Sequence, residues 1–432
     1  MCATYLVVMD KPIISLFSGA MGLDLGLEAA ACGIRTAVAV ELNPVAVKTI
    51  KMNRPNLPVI DKRIQDVTTE EILKEAGLRP GEAFLVTGGP CCQTFSTVGK
   101  RASLGDETRG NLFRHFKRVV REALPRFFVM ENVKGILSAA ICHRPLDKRG
   151  PGWPPLSPDE ELGSAFRIIC KELADLHYYV VFGLLNCADF GVPQKRYRVV
   201  FIGSRDGEAI QLPQATHAET AGDEKLRWVT LRRAIGHLKE RSPEFVKFTP
   251  ERLEFLKHLT AGQNWTDLPR EMQKKALGAA FESWGGRCGF CRRLTWSKPA
   301  PTLTTAPDGR ATTLCHPTEL RPLSVEEYLA IQQFPASWGV TGGTAQKYIQ
   351  IGNAVPIGLG RAIGKALLAT THRTAKTGVP KEAAACLGQV ICGDAELEKK
   401  LKARPRTMLH PPRLRTNNDP AAARKWLSQV AA

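Results

Sequence analysis

Between residues 12 and 203, short and nearly continuous apolar runs alternate with stretches whose apolar positions recur at helical spacing. Pro12–Phe17, Thr36–Glu41, Ala83–Thr87, Phe127–Glu131, Tyr178–Leu185 and Tyr197–Gly203 read as strands. Gly22–Cys32, Pro44–Met52 and the segments near 111–124 and 160–175 read as helices. Strand–helix alternation of this kind predicts an α/β fold, a mostly parallel, doubly wound sheet covered on both faces. Ligands of such sheets gather at the carboxyl ends of the strands. The residues able to do chemistry fall there in this chain.

The rhythm is interrupted twice. Ser138–Leu162 is rich in Pro and Gly and reads as a surface loop, and from residue 204 to 322 the alternation is lost. Helical spacing returns at Ser324–Gln333 and Pro356–Ala369. The pattern divides the chain into an α/β domain (11–203 with 323–371), a smaller irregular module (204–322) and a basic C-terminal extension (372–432).

Charge narrows the partners. Among 432 residues, 60 Lys and Arg stand against 42 Asp and Glu, a net +18, which points to a polyanion, nucleic acid first. The N-terminus carries no signal-peptide pattern, and no apolar run reaches the roughly 20 residues that cross a bilayer. Twelve cysteines in that setting are expected as reduced thiols of a cytoplasmic protein without a membrane partner.

Two loops carry candidate chemistry. Phe17-Ser18-Gly19-Ala20-Met21-Gly22-Leu23-Asp24 joins the first strand to the first helix, where glycines let backbone approach a ligand. Its spacing is not that of dinucleotide binders, which disfavours nicotinamide. Glu41 closes the second strand, where a carboxylate can hold ribose hydroxyls, and Asp66 falls after the third. Alone, this set is equally a turn followed by two solvated acids. The second loop, Gly88-Gly89-Pro90-Cys91-Cys92-Gln93, holds thiols between glycine and proline, with Glu131-Asn132-Val133 downstream. A thiolate attacks electron-poor carbon, and a nearby acid helps the acceptor tolerate the attack.

In this order the motifs resemble those of C5-cytosine DNA methyltransferases of the bacterial and phage restriction-modification type. The resemblance runs from about residue 13 to 370 and adds Gln194-Lys195-Arg196-Tyr197-Arg198 and Gln350-Ile351-Gly352-Asn353-Ala354-Val355-Pro356. It implies a Rossmann-like S-adenosylmethionine-dependent methyltransferase domain with an irregular target-recognition domain at 204–322. It assigns the cofactor to Phe17, Gly19, Gly22, Leu23, Glu41, Asp66, Asn353 and Val355. Cys92, in Cys92-Gln93-Thr94-Phe95-Ser96, becomes the nucleophile that adds to C6 of a flipped-out cytosine. Glu131 holds N3 protonated, and Arg196 and Arg198 brace the loop and the base. The chain departs from the family pattern at Met21, usually glycine, and at Cys91, usually proline.

The segment Thr94–Asn111 is then a closing loop. Gln93, Ser96, Lys100, Arg101 and Arg109 are expected at DNA, as are Arg287, Arg292 and Arg293 in the recognition module. Cys288-x-x-Cys291 with Cys315-His316 has the donors of a zinc site but an awkward adjacent pair, so no metal is expected. The implied function is methyl transfer to C5 of cytosine in a short sequence of double-stranded DNA, by a monomer acting beside a cognate restriction endonuclease. RNA methylation on the same scaffold and a catalytically silent DNA-binding relative are the alternatives. The size of the basic recognition module weighs against the first, and intact Cys92, Glu131 and Arg196 against the second.

Overall fold

The structure is a computed structural model and describes residues 10–90, 111–145, 148–149, 152–222, 224–238, 242–278, 281, 289–378 and 387–403. The strands are β1 (Lys11–Leu16), β2 (Ile34–Val40), β3 (Val59–Ile60), β4 (Leu85–Gly88), β5 (Phe127–Val133), β6 (Tyr179–Asn186), β7 (Gln194–Lys195) and β8 (Tyr197–Ser204). They are followed by β9 (His217–Ala218), β10 (Leu226–Arg227), β11 (Ala300–Pro301) and β12 (Val390–Cys392). The helices are α1 (Gly22–Glu28), α2 (Pro44–Asn53), α3 (Thr69–Ala76), α4 (Asn111–Ala123), α5 (Ser164–Ala174) and α6 (Leu231–Ile235). Then come α7 (Pro250–Leu256), α8 (Arg270–Leu277), α9 (Val325–Ile331), α10 (Thr344–Asn353) and α11 (Ile357–Thr377).

Eight strands form the main sheet in the order β12-β6-β8-β5-β4-β1-β2-β3. Within it β8 alone is reversed, antiparallel to both β5 and β6. The chain winds outward from β1 to β3 and then returns to β4 on the other side of β1. This reversal of winding opens a crevice beside the carboxyl end of β1.

Successive residues of the central strands feed opposite cores. Ile14, Phe128, Met130 and Phe201 pack under α3, α4 and α5 in one cluster, while Ile13, Phe127, Val129, Val200 and Ile202 pack with Leu23, Leu27, Leu359 and Ile363 of α1 and α11 in another. This is the two-residue side-chain period of a sheet buried on both faces.

Helices α1 and α11 approach closely because glycines face each other. A Cβ on Gly26 would stand 2.4 Å from the Ile357 carbonyl and 2.7 Å from Cα of Gly360. This contact lays the C-terminal motif onto the first glycine loop.

The sequence pattern shows no regular structure after residue 371. The chain nevertheless continues α11 to Thr377, adds β12 parallel to β6 at the sheet edge, and ends its described part in a helix, Ala395–Ala403. Three residues are too few to show a strand period, and their conformation is set by pairing with Val180–Phe182. The 204–322 stretch has its own apolar cluster, in which Phe248, Phe255, Leu256, Leu259 and Leu268 surround Cys291 and Cys315.

Candidate active site

Each segment of the first loop has a physical reason. Phe17 and Met21 adopt left-handed backbone, φ 57° and 63°, which costs a non-glycine residue on the order of 1–2 kcal/mol. Such outliers gather at functional sites. A side chain on Gly19, φ 54°, would meet nothing within 4 Å, so the backbone there borders open space. Gly22 differs: its Cβ would collide with the Val355 carbonyl at 2.3 Å. Helix packing demands that glycine, and the loop thereby rests on the Gly352–Pro356 segment. Met21 is fully buried among Leu25, Ile50 and Ile351, so its side chain fills the core beneath the loop.

Glu41 closes the same crevice. Its two carboxylate oxygens accept from the Gly19 N–H and the Asn43 N–H, each at 2.7 Å, and Asn43 in turn caps α2. The next residue, Leu42, is 57 % exposed, an apolar side chain open at the crevice rim that sequence reasoning passed over. Asp66 ends a short 3₁₀ turn, exposed, and pairs with Arg63 at 2.7 Å. Leu23 and Val355 are buried, and Asn353 is exposed at the end of α10.

Beneath the loop, Asp24 is 2 % exposed, and one carboxyl oxygen has no hydrogen-bond partner. Burial pushes its pKa up from 3.8 to about 7, partly offset by the Ser15 hydroxyl. The folded protein therefore keeps a proton that the unfolded chain releases above pH 3.8, so this group's effect is to lower stability as pH rises toward about 7. Asp24→Asn is expected to flatten the fall in melting temperature between pH 5 and pH 8. It should also raise stability at pH 8 by a few kcal/mol. Thermal melts at the two pH values check this, and an unchanged slope would show that Asp24 does not titrate there.

The reacting centre is built across β5 and β8. Glu131 continues the stripe begun by Phe127 and Val129, and Arg198 continues that of Ile202 and Val200. The antiparallel register sets Val133 opposite Arg198, which makes Glu131 and Arg198 diagonal neighbours on one face. Their side chains pair at 2.5 Å, both about one-tenth exposed. Because β8 is reversed, its amino end brings Arg198 to the edge where the parallel strands terminate. An ideal Cβ on Gly89 would lie 2.9 Å from Glu131 Oε2, so glycine there leaves the carboxylate room beside the loop. The Asn132 side chain donates to the Pro90 carbonyl at 3.3 Å and tethers that loop at its root. Asn132→Ala is expected to lower kcat by up to about tenfold, the worth of one buried hydrogen bond, with cofactor affinity retained. Steady-state kinetics with a cofactor titration checks this.

Cys92, with Gln93, Ser96, Lys100, Arg101 and Arg109, lies outside the described residues, as do Cys91, Arg287 and Cys288.

Arg196 is 1 % exposed and donates to the carbonyls of Leu303 and Gly352 at 3.0 and 2.8 Å. Gln194 accepts from Leu303 N–H at 2.9 Å and donates to Gln332 at 2.8 Å. Gln332 donates to the carbonyls of Ile351 and Ala354. Three distant motifs are thus pinned by one buried polar hub. Gln332 was missed as a site residue, although a glutamine within the apolar pattern 324–333 was its visible signal.

In the 204–322 stretch, Arg293 is buried and donates to the Leu259 carbonyl at 2.9 Å. A guanidinium so placed braces the surrounding backbone. Arg292 lies 3.4 Å from the Thr313 carbonyl. Burial pushes the thiol of Cys291 up to about 11 and that of Cys315 up to about 12, so both stay protonated in their apolar cluster. His316 turns away to Glu319 and Glu327.

The family model of the C-5 cytosine-specific DNA methylases matches residues 12–369. The chain belongs to that family. As a C-5 cytosine-specific DNA methylase it is an enzyme, a DNA cytosine-5 methyltransferase, and relatives extend over most of its length. It is 33 % identical over 361 residues to the type II methyltransferase M.Sau96I of Staphylococcus aureus, covering 83 % of this chain and 76 % of the relative. With the type II methyltransferase M.PspPI of a Psychrobacter species it shares 35 % over 367 residues, covering 82 % and 78 %. A DNA modification methyltransferase encoded within an E. coli prophage has the same fold, at TM-score 0.55 and 20 % identity, covering 84 % of this chain and 100 % of that one. Among the described residues no helix of this methylase is long and apolar enough to cross a membrane.

Proposed function

We propose that this methylase modifies one cytosine within a short duplex sequence through a covalent Cys92–C6 adduct, as the modifying partner in a restriction-modification system. The observation that carries the mechanism is the Glu131–Arg198 pair at 2.5 Å, set against Gly89 at the root of the Cys92 loop. A carboxyl group held there by a fixed cation is oriented for one hydrogen bond to an incoming base.

S-adenosylmethionine fits the crevice beside β1. Open space at Gly19, a carboxylate at Glu41 with lone pairs left for hydroxyls, and an exposed apolar Leu42 suit a nucleoside. Phe17, Gly19, Leu23, Glu41, Asp66, Asn353 and Val355 are the residues that would hold it, with Gly22 acting through packing. When bound, that cofactor supplies an electrophilic methyl group on sulfonium.

The chain's own residues prepare the acceptor. The Cys92 thiolate adds to C6, Glu131 protonates or hydrogen-bonds N3, and carbon 5 gains enamine character. Once C5 has taken the methyl group, whose bond to sulfur breaks, loss of the C5 proton to a base expels the thiol and restores the aromatic ring. Arg196 fixes the scaffold and Arg198 the carboxyl, which makes both positioning residues. Gln93, Ser96, Lys100, Arg101, Arg109, Arg287 and Arg292 are proposed to contact DNA, with the enzyme acting as a monomer.

Transfer of labelled methyl from S-adenosylmethionine to duplex DNA, with tRNA as the competing substrate, tests this reading. Incorporation confined to DNA is expected. Incorporation into tRNA alone would replace it with the RNA reading.

A further inference from the structure

A second concave site is lined by none of the residues of the glycine loop, Glu41 or Glu131. A cavity of about 480 Å³ lies where the first segment of the recognition module meets α11 and the Phe190–Pro193 turn. The volume is that of a small-molecule pocket. Its wall carries Arg233 of α6 on one side and Arg361 and Lys365 of α11 on the other. Among the described residues, none of these three side chains has an acidic partner.

That arrangement has an energetic cost. Arg361 and Lys365 stand four residues apart on one helix, where like charges repel, and Arg233 faces the same space. Nearby acids are engaged elsewhere. Asp189 accepts from the Trp228 indole at 2.8 Å, and Glu219 pairs with Lys195 at 3.8 Å. Gln333 braces the wall itself. Held in left-handed backbone at φ 66°, it donates its amide to the Gly191 carbonyl at 3.0 Å. Its other amide atom, the acceptor Oε1, is buried and has no hydrogen-bond partner. That oxygen lies beside Gly358, another wall residue, at 2.4 Å from where a Cβ would stand. Three cations lining one cavity suit an anion.

We infer that this cavity is a phosphate-binding site, with Arg233, Arg361 and Lys365 on the phosphate oxygens. The phosphate belongs either to a small phosphorylated molecule or to the DNA backbone. In both cases it ties α6 of the recognition module to α11 of the catalytic domain. Because both helices contribute, occupancy fixes their relative position.

The test compares wild type with the double variant Arg361→Ala/Lys365→Ala, two exposed positions whose loss relieves the repulsion and should not lower the melting temperature. Isothermal titration with inorganic phosphate and pyrophosphate, at constant ionic strength, should give saturable one-to-one binding. Loss of two charge-assisted hydrogen bonds should weaken it at least about tenfold in the variant. A parallel DNA titration over a salt series distinguishes the sources. A DNA salt slope reduced by about 0.9 in the variant assigns the phosphate to DNA, since each neutralised phosphate contributes about that much. An unchanged slope with saturable pyrophosphate binding assigns it to a free ligand. The inference is overturned if the slopes agree and either wild type binds no phosphate saturably or wild type and variant bind pyrophosphate equally.

Discussion

Glu131→Gln is expected to lower kcat by about 10²–10⁴, the range for loss of a positioned acid, while leaving S-adenosylmethionine affinity intact. Glutamine keeps the shape of the side chain but can no longer deliver a proton to N3. The substitution has a second effect that must be separated from the first. It leaves the Arg198 guanidinium, about one-tenth exposed, without its carboxylate partner. Breaking a buried pair from one side costs about 3–5 kcal/mol, whereas replacing both members by packed apolar groups is often neutral. Glu131→Gln with Arg198→Met should therefore recover thermal stability without recovering turnover. If the double variant recovered activity along with stability, Glu131 would be a structural partner of Arg198 and nothing more.

The second large effect is on the scaffold. Gly26→Ala should destabilise the protein by about 2–3 kcal/mol, as overpacking does, and weaken cofactor binding as well. Alanine is the better helix former by roughly 1 kcal/mol, so an isolated helix would gain from the change. Here the added methyl would meet only backbone: the Ile357 carbonyl at 2.4 Å, Gly360 Cα at 2.7 Å and Arg361 N at 2.9 Å. No rotamer can relieve contacts of that kind, so α1 and α11 must separate. The Gly22–Val355 contact lies in the same interface, which carries the displacement to the glycine loop. A melting temperature equal to wild type, with unchanged cofactor affinity, would show that the two helices have slack.

The strands of the α/β domain were legible because burial on both faces leaves apolar residues at consecutive positions. Pro12–Phe17 was expected and Lys11–Leu16 is observed; Tyr178–Leu185 was expected and Tyr179–Asn186 is observed. Strands fixed by tertiary pairing were not legible. β7 and β11 are two residues each and exist because Gln194 pairs with Ala300. β12 is three residues whose partners lie more than two hundred positions away.

The same division holds at the site. Glu41, Glu131 and the glycine loop stood out by motif, and the structure sets Glu41 on Gly19 and Glu131 beside Gly89. What a residue type cannot reveal is which neighbour it serves. Gly22 read as a cofactor glycine, yet the Val355 carbonyl 2.3 Å from its missing Cβ already accounts for it. Arg293 read as a DNA contact, yet it is buried against Leu259. Arginine on a surface and arginine pinning a carbonyl are identical in sequence and differ only in what the fold packs around them.

Methylation of cytosine in DNA through Cys92 is open to a direct test, bisulfite sequencing of plasmid DNA from cells expressing the chain or its Cys92→Ser variant. Cytosines at one short motif should resist conversion with the wild type and convert fully with the variant. Complete conversion at every site with both proteins, each shown to be expressed and folded, would contradict it.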